Sequence, residues 1–325
     1  MISNQIFAVC AEPYCVWGWD LEEENSQFIS EIDGSYFEYI CETHLSALDG
    51  DNAQRAAVAL RINYHLSLET LFGLIGAMLQ SPRYVPGWIL KATTNQIREI
   101  TSSLERGVMT FPTKLDPRPP YLDFETVVRL IFQHTPWPDD EDGKIFEGFV
   151  GLLHRLAHDF LDQANTQEYN SIKHGFRARA GGFSLAVGVQ KEKGVPAAPE
   201  EMKSMGGSKF GTSFFVAEII GEANRKRDPH FRLRRRSLNW LPDMTAEKML
   251  LAATMIKNLK SILTLVSEPS SQAEFARPND LDAFEAPWRK SVGIRNFDMA
   301  RVISEAHISR ATREELKGKL ENREC

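Results

Sequence analysis

The sequence predicts a mainly α-helical protein of the α+β kind: a helical bundle into which a three-stranded antiparallel β-sheet is inserted. Two observations carry this. Apolar residues recur at three- and four-residue intervals through two long stretches, 52–80 and 245–267, the stripe by which a helix buries one side. Between them lie three β-branched and aromatic segments, joined by polar linkers bearing Gly and Pro, which read as strands. No helical crossover separates those segments, so antiparallel pairing is the simplest arrangement.

In chain order, residues 1–51 form an acidic segment rich in aromatics (Phe7, Tyr14, Trp17, Trp19, Phe28, Tyr36, Phe37, Tyr39) that is expected to pack on the bundle. The central helix follows from Asn52 to Gln80 on Ala57, Leu60, Tyr64, Leu68, Leu71, Ile75 and Met78, with Gly73 and Gly76 permitting close approach of a neighbour. Ser81-Pro82 stops it. A second helix on Trp88, Ile89, Ile97, Ile100 and Leu104 ends near Gly107, and the proline-rich stretch from Phe111 to Tyr121 is a loop. Helices are expected over 122–133, 143–165 and a short stretch ending at Gly175, with the acids of 139–142 opposing the positive end of the second of these. Strands are expected at 183–189, 212–220 and 231–237, within an insert at about 182–240. The bundle closes with the helix over 245–267. Residues 268–325 read as a connector followed by a charged helix from Asn296 to Arg323.

The composition bounds the function classes. With 325 residues and 42% hydrophobic content the chain can bury a real core, so disorder and fibrous repeats are excluded. No run of eighteen consecutive apolar residues occurs, the first residues lack a basic start and an apolar run, and the four cysteines are scattered. A soluble, cytoplasmic protein without a membrane partner is expected. Charge is unevenly spread. Residues 1–54 hold eleven acids and no Lys or Arg, whereas 173–240 hold fourteen Lys or Arg against six acids. The two regions can pair with each other or serve different partners.

The most distinctive string is Tyr169-Asn170-Ser171-Ile172-Lys173-His174-Gly175-Phe176-Arg177. On a helix Asn170, Lys173, His174 and Arg177 gather on one side, where they can hold a phosphate and where an imidazole can move a proton at neutral pH. The same residues also suit a helix end, with cations opposing the dipole and Gly175 closing the helix in a left-handed conformation. The run from Arg225 to Arg236 places seven cationic residues among twelve; in its strand portion Arg232, Arg234 and Arg236 share one face, opposite Phe231 and Leu233, which can face the core. Such a surface can receive nucleic acid or pair with the chain's own acids.

Together with Tyr64-His65-Leu66-Ser67-Leu68-Glu69-Thr70-Leu71, Gln80-Ser81-Pro82 and Gly87-Trp88, the 169–175 string resembles those of uncharacterised bacterial helical proteins, and its Asn-x-x-Lys-His-Gly element is similar to one in HEPN-type helical bundles. The resemblance spans residues 52 to 180. It implies a metal-independent ribonuclease of a defence or toxin system, with an Arg-x4–6-His motif assembled at a homodimer interface. Arg129/His134, Arg225/His230 and Arg301/His307 meet that spacing. Chance supplies a comparable number at this Arg and His content. In Arg301/His307, the best placed, the side chains lie about 120° apart around a helix.

His154 and His158, four apart, are a permitted metal pair, but Asp162 lies about 12 Å along the axis from His154, so no metal site is assigned. His65 and Glu69 are expected in a buried polar contact. No cofactor fingerprint, phosphate-binding Gly loop or Ser nucleophile elbow is present, and Cys10, Cys15, Cys41 and Cys325 have neither metal spacing nor an evident base. Two functions of different classes follow. The first is a non-enzymatic binding or scaffold protein, able to form a homodimer, whose Asn170/Lys173/His174/Arg177 side and basic strand receive a polyanion such as RNA. The second is a HEPN-like ribonuclease using His174 or His307 with an Arg such as Arg177.

Overall fold

The computed structural model describes residues 5–9, 12–17, 21–109, 121–133, 135, 143–175, 177–219, 231–300 and 311–322. The molecule is mainly helical with a small antiparallel sheet, as the periodicities predict. Its spine is α3 (Ala53–Gln80) packed along α9 (Pro242–Ser267). Most of the anticipated stripe is buried: Leu60, Tyr64, Leu68, Leu71 and Ile75 on α3 meet Met249, Ala252, Ile256, Leu259 and Leu263 on α9 in one core, while Val266, expected on the same stripe, is exposed at the end of α9. At Gly76 an added Cβ would overlap the ring of Trp88, so a glycine is what lets α4 (Val85–Lys91) lie against α3.

The helix expected from Trp88 to Gly107 is two helices. A break at Ala92 precedes α5 (Thr94–Glu105), which opens on a reciprocal Thr93/Gln96 capping box, satisfying backbone donors that would otherwise be orphaned. Asp123 caps α6 (Phe124–Phe132). Beyond α7 (Lys144–Leu161), Asp162 turns the chain and accepts from the Asn165 N–H at 2.8 Å, starting α8 (Gln163–Lys173). The acidic leader supplies the hairpin β1 (Gln5–Val9) and β2 (Glu12–Trp17) together with α1 (Glu22–Glu31) and α2 (Ser35–Leu45), and both helices pack on α9.

The antiparallel sheet is assembled differently from its sequence outline. Its order is β3 (Ala178–Ala180), β6 (Gly211–Ile219), β7 (Phe231–Asn239) and β8 (Asn296–Ala300), while β4 (Ser184–Val187) and β5 (Lys203–Gly207) form a separate hairpin. The fourth strand lies where a helix beginning at Asn296 was expected; in that tail the described helix is α11 (Arg313–Glu321), and α10 (Ala286–Arg289) lies in the connector. Phe210, Phe214, Leu238 and Trp240 close a second core against Ala57, Val58 and Ile172, which seats the sheet beside the first turns of α3 and the end of α8.

Although it lacks an uninterrupted apolar run, α9 is long and apolar enough by length and composition to cross a membrane. Here it is the inner helix of the bundle, buried by α1, α2 and α3. The acidic run 139–142, most of the loop 111–121, His134, the Arg225/His230 pair and the Arg301/His307 pair lie outside the described residues.

Candidate functional site

The Asn170–Arg177 string ends a helix. The His174 N–H closes on the Asn170 carbonyl at 3.1 Å, and Gly175 adopts φ +109°, the left-handed stop that glycine takes without strain. Asn170, Lys173 and His174 are brought together at the exposed end of α8, with Arg177 exposed just beyond. Lys173 is already engaged: its Nζ lies 3.1 Å from Glu69 Oε2 and over the Tyr169 ring. Burial raises the Glu69 carboxyl, but hydrogen bonds from Thr94, Lys173 and Tyr169 outweigh it and hold the group below the usual carboxylate range. His65 and Glu69 therefore do not contact each other as a pair. Glu69 serves Lys173, and the His65 imidazole turns towards Glu168 at 3.6 Å.

On the sheet the two sides exchange the roles expected of them. The side chain of Arg232 lies outside the described residues. Arg234 and Arg236 do share a side, but it is the one facing the helices. Register pairs Arg236 with Phe214 and Leu238 with Thr212, and because side chains alternate, the burial of Phe214, Leu238 and Thr212 carries both arginines inward. They are neutralised there. Arg236 makes two bonds to Asp298, at 2.8 and 2.6 Å, and a third to Gln167 of α8 at 2.7 Å. Arg234 grips both Glu218 oxygens at 2.8 Å. The hydrogen bond from Arg236 holds the Asp298 carboxyl down, and Asp298 in turn raises Arg236. Leu233, expected in the core, is instead 51% exposed.

The outer side carries what was hidden from the sequence. Phe215 pairs across β7 with Arg235 and thence with Met299, and Ser213 with Ser237 and thence with Phe297. Phe215 is 63% exposed, and Leu233, Phe297 and Met299 are exposed as well. Arg179 joins this side opposite Ser213. Arg177, Arg179 and Arg235 make no ion pair among the described residues, and the described outward positions of the four strands include no acid. Phe183 stacks obliquely on Phe297 at 5.9 Å and extends the aromatic surface.

Beneath the sheet a second constellation is wholly buried. Arg61 of α3 donates from Nε to Glu168 at 2.8 Å and from Nη2 to Asn165 at 2.8 Å. Glu168, fully buried, also accepts from the Trp240 indole at 2.9 Å and from the Thr212 hydroxyl. Burial raises its pKa, but Arg61 and the surrounding donors outweigh that and hold it at about 2. Burial and the Arg61 charge lower His65, so the imidazole is neutral at pH 7; its Nε2 is buried without a hydrogen bond. Next to this, Asp159 accepts from Tyr64 at 2.6 Å, Lys248 at 2.9 Å and the Trp288 indole at 3.1 Å. Arg61, Asp159, Trp240, Lys248 and Trp288 border a cavity of about 270 Å³ between the start of α9 and the 287–295 segment.

Sequence reasoning did not find this network, because its members come from α3, α7, α8, α9 and the connector. One local signal existed: Arg61 and His65 fall at four-residue intervals after Ala57, on the buried stripe itself. His154 sets its ring edge-on to Phe124, and His158 faces Glu105 at 3.3 Å. Among the described residues no group of three or more His, Cys, Asp or Glu is arranged to hold a metal ion. Cys41, buried against α9, has its thiol pushed up to about 12 by burial and by Glu38 and Glu42, and is unreactive at neutral pH. No protein-family description, no curated protein and no solved structure matches this chain.

Proposed function

We propose that the protein is a non-enzymatic nucleic-acid-binding protein of the cytoplasm that holds single-stranded RNA across the outer side of the β3-β6-β7-β8 sheet. The observation that supports this is the coincidence, on one surface that carries no acid among the described outward strand positions, of exposed Phe215 and Phe297 with Arg179 and Arg235. Bases stack on aromatic rings whatever their identity, while guanidinium groups neutralise the phosphates between them. Phe215 and Phe297 sit two strands and one pleat repeat apart, roughly 12 Å from strand spacing, with Arg235 on the strand between. Arg177, leading into β3, continues the cationic strip towards His174. Arg234 and Arg236 have no part in this, since both are spent on Asp298 and Glu218.

The test is fluorescence anisotropy of a labelled single-stranded RNA. Binding that weakens steeply with salt is expected. It should fall roughly tenfold in Phe215→Ala and in Arg235→Ala and stay unchanged in Arg234→Met, with double-stranded RNA a poor competitor. Equal binding by wild type and both outer-side variants overturns the proposal. Chelator-resistant cleavage of the RNA that is lost in His174→Ala replaces it with the ribonuclease alternative.

A further inference from the structure

The cavity between α9 and the 287–295 segment lies on the opposite side of the sheet from the proposed RNA surface and has a chemistry of its own. Arg61, Lys248, Lys290 and Arg295 border it, with Asp159 the sole acid on its wall among the described residues. Two further carboxylates stand behind that wall: Glu168 holds Arg61 at 2.8 Å, and Asp162 lies 3.4 Å from Arg295. Four cations against three carboxylates leave one positive charge in excess, and Lys290, exposed at the rim, has no acid partner among the described residues.

The walls are fixed in advance. The three donors on Asp159 lock the Lys248 ammonium over the Trp288 ring at 4.7 Å. Both indole N–H groups bordering the cavity are tied to carboxylates, Trp240 to Glu168 and Trp288 to Asp159, and Arg61 and Lys248 each cover one of the rings, so what the indoles offer an occupant is the remaining ring surface. A volume of about 270 Å³ falls just below the usual range for drug-sized ligands, which admits one ring and one anionic group and excludes a polymer. Lysine and arginine at a rim are the common recognition of phosphate.

We propose that this cavity is a binding site for a small organic phosphate bearing one planar ring, of the size and chemistry of a nucleoside monophosphate. The phosphate sits between Lys290 and Arg295 at the mouth and the ring lies against the indoles within. The test is calorimetry on the intact protein with AMP, adenosine and inorganic phosphate, followed in parallel by tryptophan fluorescence. Saturable AMP binding with a change in indole emission is expected, with adenosine and phosphate each at least about tenfold weaker. Lys290→Ala and Arg295→Ala should each weaken AMP about five- to tenfold; Lys290→Ala should do so without moving the melting temperature, whereas Arg295→Ala also removes the bonds to Asn165 and Asp162. Phe215→Ala and Arg235→Ala should leave AMP binding intact, so this site and the RNA surface fail separately. The proposal is overturned if AMP gives no saturable heat, if both rim variants bind it as well as wild type, or if adenosine or phosphate alone binds as tightly as AMP.

Discussion

The two sides of one small sheet treat the same residue type in opposite ways. Facing the helices, Arg234 and Arg236 are held by Glu218, Asp298 and Gln167, and just below them Arg61 is closed in by Glu168 and Asn165. Facing outward, Arg179 and Arg235 stand among phenylalanines with no carboxylate within reach among the described residues. Counting cations along the strand would give both sides the same meaning. Their partners separate them: an arginine enclosed by acids stabilises the fold or costs stability when its partner is lost, whereas one left among exposed rings is available to an outside anion.

The sharpest way to break this contrast is at its most enclosed pair. Arg61→Ala leaves Glu168 charged, buried and short of its main partner, and is expected to cost about 3–5 kcal/mol in chemical denaturation; a loss below about 1 kcal/mol would remove the distinction. Acid supplies a second route. Glu168 is depressed from 4.5 to about 2 in the folded state, so its contribution is fully present above the unfolded value. It is lost as pH falls through the window from roughly 4.5 to 2, by on the order of 3 kcal/mol. Urea midpoints measured across that range should decline steeply in wild type and much less in Glu168→Gln. A milder effect, about 1 kcal/mol, is expected for Asp298→Asn, which removes a pair that is only partly shielded from water. Smallest of all, Arg235→Ala and Phe215→Ala should change stability by no more than about 0.5 kcal/mol while carrying the loss of RNA binding. An unfolding cost as large as that of Asp298→Asn would mark the outer side as structural.

The spine of the molecule is legible in its sequence because packing follows local period: the residues that recur on α3 and α9 are the ones at zero exposure, Leu60, Tyr64, Leu68, Met249 and Leu263 among them. Strand sidedness was less legible. Apolar and cationic residues alternate only over 231–234 before Arg235 and Arg236 put a cation on each side in turn, which fixes that there are two sides and not which one turns inward. Phe214 and Leu238 decide that, by burial against Ala57, Val58 and Ile172 from distant helices. The segment Asn296–Ala300 adjoins a charged stretch with helical composition, and its extended form comes from pairing with β7, more than fifty residues earlier in the chain. The Arg61–Glu168 and Asp159–Lys248 contacts join residues about ninety or more apart and have no spacing signature. Only the intrusion of charge into an otherwise apolar stripe announces them.

The edge strand β8 gives the molecule an order of manufacture. Until β8 is made, β6 and β7 can pair while Asp298 is absent, and Arg234 and Arg236 then confront the helices with half of their countercharge missing. Electrical quiet beneath the sheet thus arrives late in synthesis. A chain interrupted before residue 296 would present cations on both sides and attract anions without discrimination.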